Sequence, residues 1–445
     1  MSTLSELLPS GGGGGSTVDF VASGTLPNGK PVILKTNGQV EAIAESAVSD
    51  GTSSYGALTG HSDGDNATVY HEAENCVVQF YYNQTTGTSY AVAGAVTSSG
   101  LGSYGTPVAT PVENFAPTAA IYDPSSEKVI VFKNSTFYLL SVSGTTITWE
   151  STGYTYDDTG TGTAGTGIGV SYDPTHAVIV IAFANAYDRI SIRTFDTSSM
   201  TFGTRVQPNG TSDSGVYLSK VVYDKNTGKH ICVFDNGGYA VQPRYSIISI
   251  SGSSGSNVTF TSPAAMSLPT YAGFVAYAGL NIAQDPISNF IVVVWSGSNY
   301  YGNVRGYLFS TTGITSTTNT TVFASYAAQN FNVIHYPPSG RMFGMWKLDA
   351  GTEATKGSSF SNISANSTIA FTTEFNVGNG QKERAQVQNN NIGAYATNAQ
   401  KIIIGLHNYQ SSNKPTNIYI VTPQHAATNL ASTNFVGTST AAYTN

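Results

Sequence analysis

Several short stretches of this chain are apolar at every position instead of alternating with polar residues. Clear examples are "VIVF" (129–132), "IVVVW" (291–295) and the "III" (402–404) of "KIII". A strand of an ordinary antiparallel sheet exposes one face to water, so polar and apolar residues alternate along it. Unbroken apolar strands therefore predict sheets that are covered on both faces, in a chain with few helical patterns to cover them.

The segment "AAIYDPSSEKVIVF" (119–132), in which a Tyr-Asp-Pro turn precedes such a strand, recurs along the chain. The position of its tyrosine is occupied, at steps of 52, 50, 51, 61, 52 and 59 residues, by Tyr70, Tyr122, Tyr172, Tyr223, Gln284, Tyr336 and Tyr395. Ten or eleven residues later comes a large apolar side chain: Phe80, Phe132, Phe183, Phe234, Trp295, Trp346 and Leu406. Repeats of this length, each of which can be divided into four strands, are typical of propeller blades.

A closed ring of such blades would cover both faces of every sheet, because each blade packs against two neighbours. We therefore predict an all-β fold, a seven-bladed β-propeller of four-stranded antiparallel blades. The turn between the first two strands carries an aspartate at an equivalent place in four repeats: Asp123, Asp173, Asp224 and Asp285. Aspartate is favoured in such turns because its carboxylate accepts bonds from the backbone that follows, so we predict a structural role for these residues. Trp295 and Trp346 are predicted to lie in the core.

The first fifty residues follow a different pattern. "TLSELL" (3–8) is typical of a helical turn with a capping box, and it places Leu4, Leu7 and Leu8 on one face. A run of glycines at 11–15 predicts a flexible tether, and two Asn-Gly turns within 18–44 indicate a hairpin. We therefore predict a leader at 1–17, a small β module at 18–50 and the propeller at 51–445. The leucines are either a frayed tail or an anchor that docks into a partner.

The composition limits the classes of function. The chain has 445 residues, of which 10% are charged, and a net charge of −7 with no Lys/Arg cluster. Binding to nucleic acid requires such a cluster, so we exclude that partner. The N-terminus lacks the pattern of a secretory signal, and no apolar run reaches the length of a membrane span. We expect a chain that is made in the cytoplasm and has no membrane partner.

Residues suited to catalysis or metal binding are scarce. The seven histidines show no zinc-hydrolase spacing, and there is no nucleophile elbow, phosphate-binding loop or twelve-residue calcium loop. Propeller sialidases hold a substrate carboxylate with three arginines, and one repeat here contains Arg189, Arg193 and Arg205. We predict no catalytic residue, metal or cofactor, and a glycan-cleaving propeller enzyme is the alternative.

The connections between the second and third strands of the repeats are rich in Tyr, Asn, Gln and Gly. In a propeller these connections emerge on one face, and tyrosine offers a flat contact area at a small entropic cost. They predict a face that binds a host glycan or protein, and ordinary polar loops are the alternative. The candidate contact residues are Tyr82, Tyr187, Tyr239, Tyr245, Tyr300, Tyr301 and Tyr409.

The opening "MSTLSELLPSGGGG" (1–14), the segment "VDFVASGTLPNGKPVILKTNGQVEAIAE" (18–45) and the repeated Tyr-Asp-Pro units resemble virion structural proteins of marine tailed bacteriophages. The resemblance covers most of the chain, and residues 432–445 resemble the start of a further small module. It implies a non-enzymatic virion component, such as a tail fibre or surface appendage, that attaches to other virion proteins by its N-terminus. A homo-oligomer in the particle is also expected. A capsid decoration protein with no receptor role is the alternative.

Overall fold

The structure is a computed structural model. It describes residues 21–24, 26, 31–35, 37–42, 45–46, 51–61, 426–427 and 435–438, and most of 66–422. Left out within 66–422 are 84–86, 98–99, 113–116, 134, 151–152, 157–166, 185–188, 208–215, 217, 235–238, 242, 267–273, 276–278, 298–299, 349–353, 362, 378–382, 385–392 and 409–414. The chain divides into two compact bodies. One is Ser49–Gln424, called the ring below, and the other combines Met1–Val48 with His425–Asn445 and is called the terminal body.

Strands are the dominant secondary structure of the described residues, in agreement with the predicted class. Before the first repeat lie β1 (Pro31–Leu34), β2 (Val40–Ala42), β3 (Glu45–Ser46) and β4 (Gly51–His61). Repeat 1 contains β5 (Asn66–His71), β6 (Cys76–Asn83), β7 (Thr88–Thr97), β8 (Gly100–Tyr104) and β9 (Val108–Ala109). Repeat 2 contains β10 (Ala119–Asp123), β11 (Lys128–Lys133), β12 (Thr136–Ser143), β13 (Thr146–Trp149) and β14 (Tyr154–Thr155). Repeat 3 contains β15 (Gly169–Asp173), β16 (Val178–Ala184), β17 (Ile190–Asp196) and β18 (Thr201–Phe202).

The later repeats follow the same plan, and repeat 4 has the most additional strands. Repeat 4 contains β19 (Ser219–Asp224), β20 (Lys229–Phe234), β21 (Tyr239–Val241), β22 (Arg244–Ser251), β23 (Asn257–Phe260), β24 (Ala264–Ala265) and β25 (Phe274–Val275). Repeat 5 contains β26 (Leu280–Gln284), β27 (Ile291–Ser296), β28 (Tyr301–Phe309) and β29 (Ile314–Thr317). Repeat 6 contains β30 (Thr321–Tyr336), β31 (Arg341–Leu348), β32 (Thr355–Ser361), β33 (Ala370–Phe371) and β34 (Phe375–Val377). Repeat 7 contains β35 (Glu383–Arg384), β36 (Gly393–Ala396), β37 (Lys401–Asn408) and β38 (Pro415–Thr422), and then come β39 (Ala426–Ala427) and β40 (Phe435–Thr438). Two short 3₁₀ helices, Ser253–Gly255 and Pro337–Ser339, complete the described elements.

The main strands of each repeat form an antiparallel sheet, and in repeat 4 the strands β21 and β25 pair separately with each other. The sheets of repeats 5, 6 and 7 are not self-contained. The long strand β30 pairs first with β28 of repeat 5 and then with β31, so it links two sheets. The fourth strand of repeat 7 is β4, which comes from the other end of the ring sequence and pairs with β38 from His61 to Gly51.

The first strands of the repeats form a circle. The strands β5, β10, β15, β19, β26, β30 and β36 contact one another in this order, and β36 contacts β5 again. A closed circle of antiparallel sheets, with one strand of each sheet at the centre, defines a β-propeller. The predicted all-β propeller class is therefore confirmed.

The packing of β11 explains why its apolar run does not alternate. Val129 and Val131 pack in one cluster with Val78 and Phe80 of repeat 1. The intervening residues Ile130 and Phe132 pack in another cluster with Ile179 and Ile181 of repeat 3. Successive side chains of a strand point to opposite faces, and in this ring both faces meet a neighbouring sheet. Trp295 and Trp346 lie in such clusters, as predicted.

The predicted structural role of the repeated aspartates is confirmed. The carboxylates of Asp123, Asp173, Asp224 and Asp285 are buried, and each accepts a bond from the backbone N–H two residues later, at 2.8–3.1 Å. Three of them also accept a bond from a side chain of the next repeat. Asp123 accepts from Thr197, Asp173 from His230, and Asp224 from Gln284. The turn aspartates therefore fix their own turns and join neighbouring blades.

The terminal body differs from the predicted division of the chain. Its β1 pairs with β2, as a hairpin does, but also with β40 from the C-terminal segment, while β3 pairs with β39. Leu26, Val32 and Val40 form its small described core. The predicted propeller boundary at 445 is therefore corrected to Gln424, because the last residues complete the sheet of the N-terminal module instead of a blade.

Candidate functional site

The tip of the β27–β28 hairpin carries two exposed tyrosines, Tyr300 and Tyr301, whose side chains are 41% and 38% exposed. They are the aromatic members of the exposed large apolar side chains among the described residues. The tip is held by backbone bonds: Tyr300 N–H donates to the Gly297 carbonyl at 2.8 Å, and Ala328 N–H donates to the Tyr300 carbonyl at 2.7 Å. Both rings are therefore presented from a constrained backbone.

The backbone of Tyr300 is left-handed, with φ of 61°. This conformation is unfavourable for a bulky side chain, and such strain is concentrated at functional positions. The hairpin lies between the second and third strands of its repeat, so it emerges on the face of the ring opposite to the aspartate turns. Tyr82, the second-to-last residue of β6, lies on the same face and is half-buried.

The other predicted contact residues do not join this site. Tyr245 is only 8% exposed and packs edge-on against Phe309, with ring centroids 5.2 Å apart. Its assignment to the binding face is wrong, because it is the second residue of β22 and its side chain turns into the interface with repeat 5. Tyr187, Tyr409 and the side chain of Tyr239 lie outside the described residues, as do the anchor candidates Leu4, Leu7 and Leu8.

A second feature is a cavity of about 290 Å³ on the axis of the ring. Its walls come from the first strands of repeats 3 to 7, and its polar lining consists of Lys220, Asn281, Asn332 and His335. Apolar residues, among them Val221, Ile282 and Val333, line the rest. Gly169 allows β15 to approach β19 closely, since a Cβ at this position would lie 2.8 Å from the Lys220 Cα.

Lys220 is the charged residue of this cavity and is 6% exposed. Burial lowers its pKa to about 7, because the ammonium form loses hydration in the interior. Burial also lowers the pKa of His335, and the nearby Asp285 and Lys225 act on it in opposite directions. The imidazole is therefore neutral at neutral pH, and its Nε2 has no hydrogen-bond partner among the described residues.

A comparison of the repeats could have revealed this cavity in the sequence. Three residues before the repeated tyrosine position, repeats 1 to 3 carry the small residues Ala67, Ala119 and Gly169. Repeats 4 and 5 carry Lys220 and Asn281 at this position. A lysine and an amide that replace small residues on the innermost strands indicate a polar site on one side of the axis.

Of the three arginines considered for catalysis, Arg193 makes structural contacts. Its guanidinium lies 4.3 Å from the centroid of the Phe202 ring and donates to the carbonyls of Gly203 and Tyr156. In the ranges that the structure describes, no three His, Cys, Asp or Glu side chains come together as a set able to hold a metal ion. The described helices are short 3₁₀ turns, and none has the length and hydropathy of a membrane span.

Comparisons with known proteins yield similarities of structure alone. No family model and no curated protein matches the chain. A protein of unknown function from Dyadobacter fermentans is 8% identical, with a TM-score of 0.45 over 83% of this chain and 98% of that one. The WD40 domain of SCAP from fission yeast is 9% identical, with a TM-score of 0.43 over 84% and 91% of the two chains.

An exo-beta-1,3-galactanase from Phanerochaete chrysosporium is 13% identical, with a TM-score of 0.35 over 57% of this chain. The match spans 59% of the length of that enzyme. At these identities and TM-scores, none of the three structures indicates a function for this chain. The assignment to the propeller class depends on the sheet topology described above.

Proposed function

We propose that this chain is a non-enzymatic structural protein of a tailed bacteriophage virion that presents one face of its propeller to the host surface. The observation that carries the binding role is the hairpin tip with Tyr300 and Tyr301, which are exposed and held on a constrained backbone. Aromatic rings that are ordered before binding lose little entropy when they contact a glycan or a protein. The resemblance of the N-terminal segments to virion proteins supports the location.

We propose further that the terminal body attaches the chain to other virion proteins. It is a compact body built from both ends of the chain, with β40 beside β1. In the particle the chain would form a homo-oligomer.

Labelling of purified virions with an antibody against residues 49–424 tests the location. Label at tail or fibre tips is the expected result. Label confined to the head would support a decoration protein and contradict the receptor role, and a complete absence of label would overturn the virion assignment. Depolymerisation of host polysaccharide by the purified chain would contradict the non-enzymatic part.

Substitution of the tyrosine pair tests the binding face. We expect the double variant Tyr300→Ala and Tyr301→Ala to bind host cells at least about tenfold more weakly, since two aromatic contacts at an interface are worth more than about 1.4 kcal/mol together. Ile287→Ala is the matched control, because Ile287 is also exposed but lies in an aspartate turn on the opposite face. An equal loss of binding to host cells in both variants would contradict the assignment of the binding face.

A further inference from the structure

We propose that the axial cavity binds one N-acetylhexosamine, whose acetamido group pairs with the side-chain amide of Asn281 while a sugar hydroxyl bonds to His335. Both residues line the cavity, on the neighbouring strands β26 and β30 at the centre of the ring. The tyrosine pair of the proposed receptor face lies at the tip of the β27–β28 hairpin instead. The inference therefore concerns a second site and does not depend on the proposed function.

Asn281 is a buried residue of the lining whose amide lacks a partner. The residue is 5% exposed, and its side chain makes no hydrogen bond within the part of the chain that the structure describes. A buried amide that loses its water and gains no partner costs free energy, so such groups are nearly always paired in folded proteins. Because Asn281 lines a cavity, a molecule inside the cavity can supply the partner.

The same strand carries a second buried amide that is fully used by the fold. Gln284 donates through its Nε2 to Asp224 Oδ1 at 2.6 Å, and its Oε1 accepts from the Lys225 N–H at 3.1 Å. Asn281 has the same donor and acceptor, but it lines a cavity where Gln284 reaches a turn. The contrast indicates a ligand and not a structural role for Asn281.

His335 is the second polar residue of the lining that can serve a ligand. Its imidazole is neutral at neutral pH, because burial lowers its pKa, so it has one donor and one acceptor. The ring makes no hydrogen bond among the described residues. The other polar lining residues, Lys220 and Asn332, already interact within the protein. The ligand therefore has no counter-charge to supply, which favours a neutral molecule.

The lining defines the chemistry of that molecule. An acetamido group has one N–H and one C=O, which match the acceptor and the donor of the Asn281 amide. Its methyl group can contact Val221, Ile282 or Val333, which belong to the apolar part of the lining. The cavity volume of about 290 Å³ is near the lower limit of ligand pockets, so it suits one sugar unit and not an oligosaccharide.

The positions of the two residues suit a ligand of this size. Asn281 stands three residues before the repeated tyrosine position of its repeat, and His335 stands one residue before it. Since the first strands lie side by side in the ring, the two residues differ by two positions, or about 7 Å, along the strand direction. The acetamido group and a distant hydroxyl of one sugar ring can therefore reach both.

Calorimetric titration of the full chain with N-acetylglucosamine and N-acetylgalactosamine tests the proposal. The matched ligands are D-glucose and D-galactose, which have a hydroxyl in place of the acetamido group. We expect one of the acetamido sugars to bind at least about tenfold more tightly than its matched hexose, because the hexose leaves part of the Asn281 amide unpaired. The absence of binding would show that the cavity holds water alone, and equal binding of the matched sugars would contradict the pairing with Asn281. Either result overturns the proposal.

The variant Asn281→Leu removes the amide and keeps the size of the side chain. It should weaken binding of the acetamido sugar at least about tenfold, and the free energy of unfolding should stay unchanged or rise, since an unpaired buried amide is lost. Gln284→Leu is the matched control on the same strand. It should destabilise the chain, because the amide bonds to Asp224 and Lys225 are lost, and bind the sugar like the unmodified chain.

Two outcomes for these variants would overturn the proposal. Normal sugar binding by Asn281→Leu would exclude its amide from the site. A loss of stability as large as that of Gln284→Leu, or a failure to fold, would show that the amide of Asn281 has a structural partner.

Discussion

The buried pair Asp173 and His230 joins repeats 3 and 4 through a hydrogen bond between a carboxylate and a neutral imidazole. The His230 Nε2 lies 3.3 Å from the Asp173 Oδ2, and both side chains are almost fully buried. Burial lowers the pKa of His230, against the opposing effect of Asp173. Burial also raises the pKa of Asp173, but bonds from His230 and from the backbone of His176 and Thr175 outweigh this and hold it well below its usual value.

This pair predicts that the chain loses stability in mild acid. The folded pKa of His230 lies below the unfolded value of about 6.5, so below pH 6.5 the unfolded chain binds more protons and becomes relatively more stable. His335 acts in the same direction. Denaturant titrations between pH 7.5 and 5 should show a free energy of unfolding that falls as the pH falls.

The variant His230→Gln separates this effect from general acid sensitivity. Gln284 of the next repeat shows that a glutamine can donate to a turn aspartate, since its Nε2 lies 2.6 Å from Asp224 Oδ1. We expect the variant to fold and to show a smaller loss of stability between pH 6.5 and 5. If the free energy of unfolding of the variant depends on pH as steeply as that of the unmodified chain, the effect does not come from His230.

The first turn of every repeat contains a left-handed residue at one equivalent place. The backbone has a positive φ, between 48° and 65°, at Asn75, Glu127, Ala177, Gly228, Asn289, Gly340 and Gln400. These residues lie four positions after the start of the turn, or three positions in repeat 6. Asn and Gly adopt this conformation at little cost, whereas for Glu127, Ala177 and Gln400 it is energetically unfavourable. The turn geometry is therefore set by the shape of the blade, even where the local residue opposes it.

This strain predicts that glycine stabilises three of the turns. The left-handed conformation costs an L-residue about 1–2 kcal/mol, and the greater freedom of glycine in the unfolded chain returns about 0.5–1 kcal/mol of this. Ala177→Gly should therefore stabilise the chain by about 0.5–1 kcal/mol. The effects of Glu127→Gly and Gln400→Gly should add to it, because the three residues lie in the turns of different repeats. Chemical denaturation of the triple variant measures the summed change in the free energy of unfolding.

The matched control is Ala182→Gly, at a buried position in the middle of β16, where φ is not positive. It should destabilise the chain, since a strand interior loses packing and gains nothing from the freedom of glycine. Destabilisation by Ala177→Gly as well would contradict the interpretation of these turns as strained.

The closure of the whole ring depends on β4. This strand lies before repeat 1 in the sequence and completes the sheet of repeat 7, so one sheet joins the two ends of the ring sequence. Without it, β38 would become an open edge, which favours aggregation. The terminal body is closed in a similar way, since β40 returns to β1.

Truncation tests this arrangement. A fragment of residues 49–424 should fold cooperatively, because it retains every strand of the compact ring body. A fragment of residues 62–424, which lacks only β4 and the two residues before it, should melt at a lower temperature and aggregate. Size-exclusion chromatography and thermal melts measure both outcomes, and similar behaviour of the two fragments would contradict the role of β4.

Removal of residues 425–445 should affect the terminal body and leave the ring unchanged. Hydrogen exchange of the β1 amides should become faster, since β1 loses its pairing with β40. Exchange in β16 and β27 should be unaffected. Faster exchange confined to the ring strands would instead indicate that the C-terminal segment supports a blade.

Much of the fold could be predicted because the repeat is local. The Tyr-Asp-Pro turn, the unbroken apolar strand and the large residue at its end belong to one stretch of chain, and a strand with two apolar faces needs two covering sheets. The roles of Asp123 and of Trp295 followed from the same comparison of repeats. The anchoring leucines and several loop tyrosines remain predictions, since the structure does not describe them.

The site was less predictable, because exposure depends on where the chain runs in space. Tyr245 and Tyr301 both stand near the start of a third strand, yet one is buried against Phe309 and the other is exposed. Residues 425–445 follow repeat 7 without a break in the sequence, but their partners lie near the N-terminus. Such pairings join segments that are far apart in the chain, and no local pattern records them.

The sequence by itself determined the period, the strand pattern and the turn chemistry, since these depend on interactions between residues near one another in the chain. Only the tertiary structure decided that β4 closes the ring, that both termini share one body, and that Lys220, Asn281 and Asn332 meet around one cavity. The physical reason is that each of these requires distant strands to pack, and packing depends on the whole ring being closed.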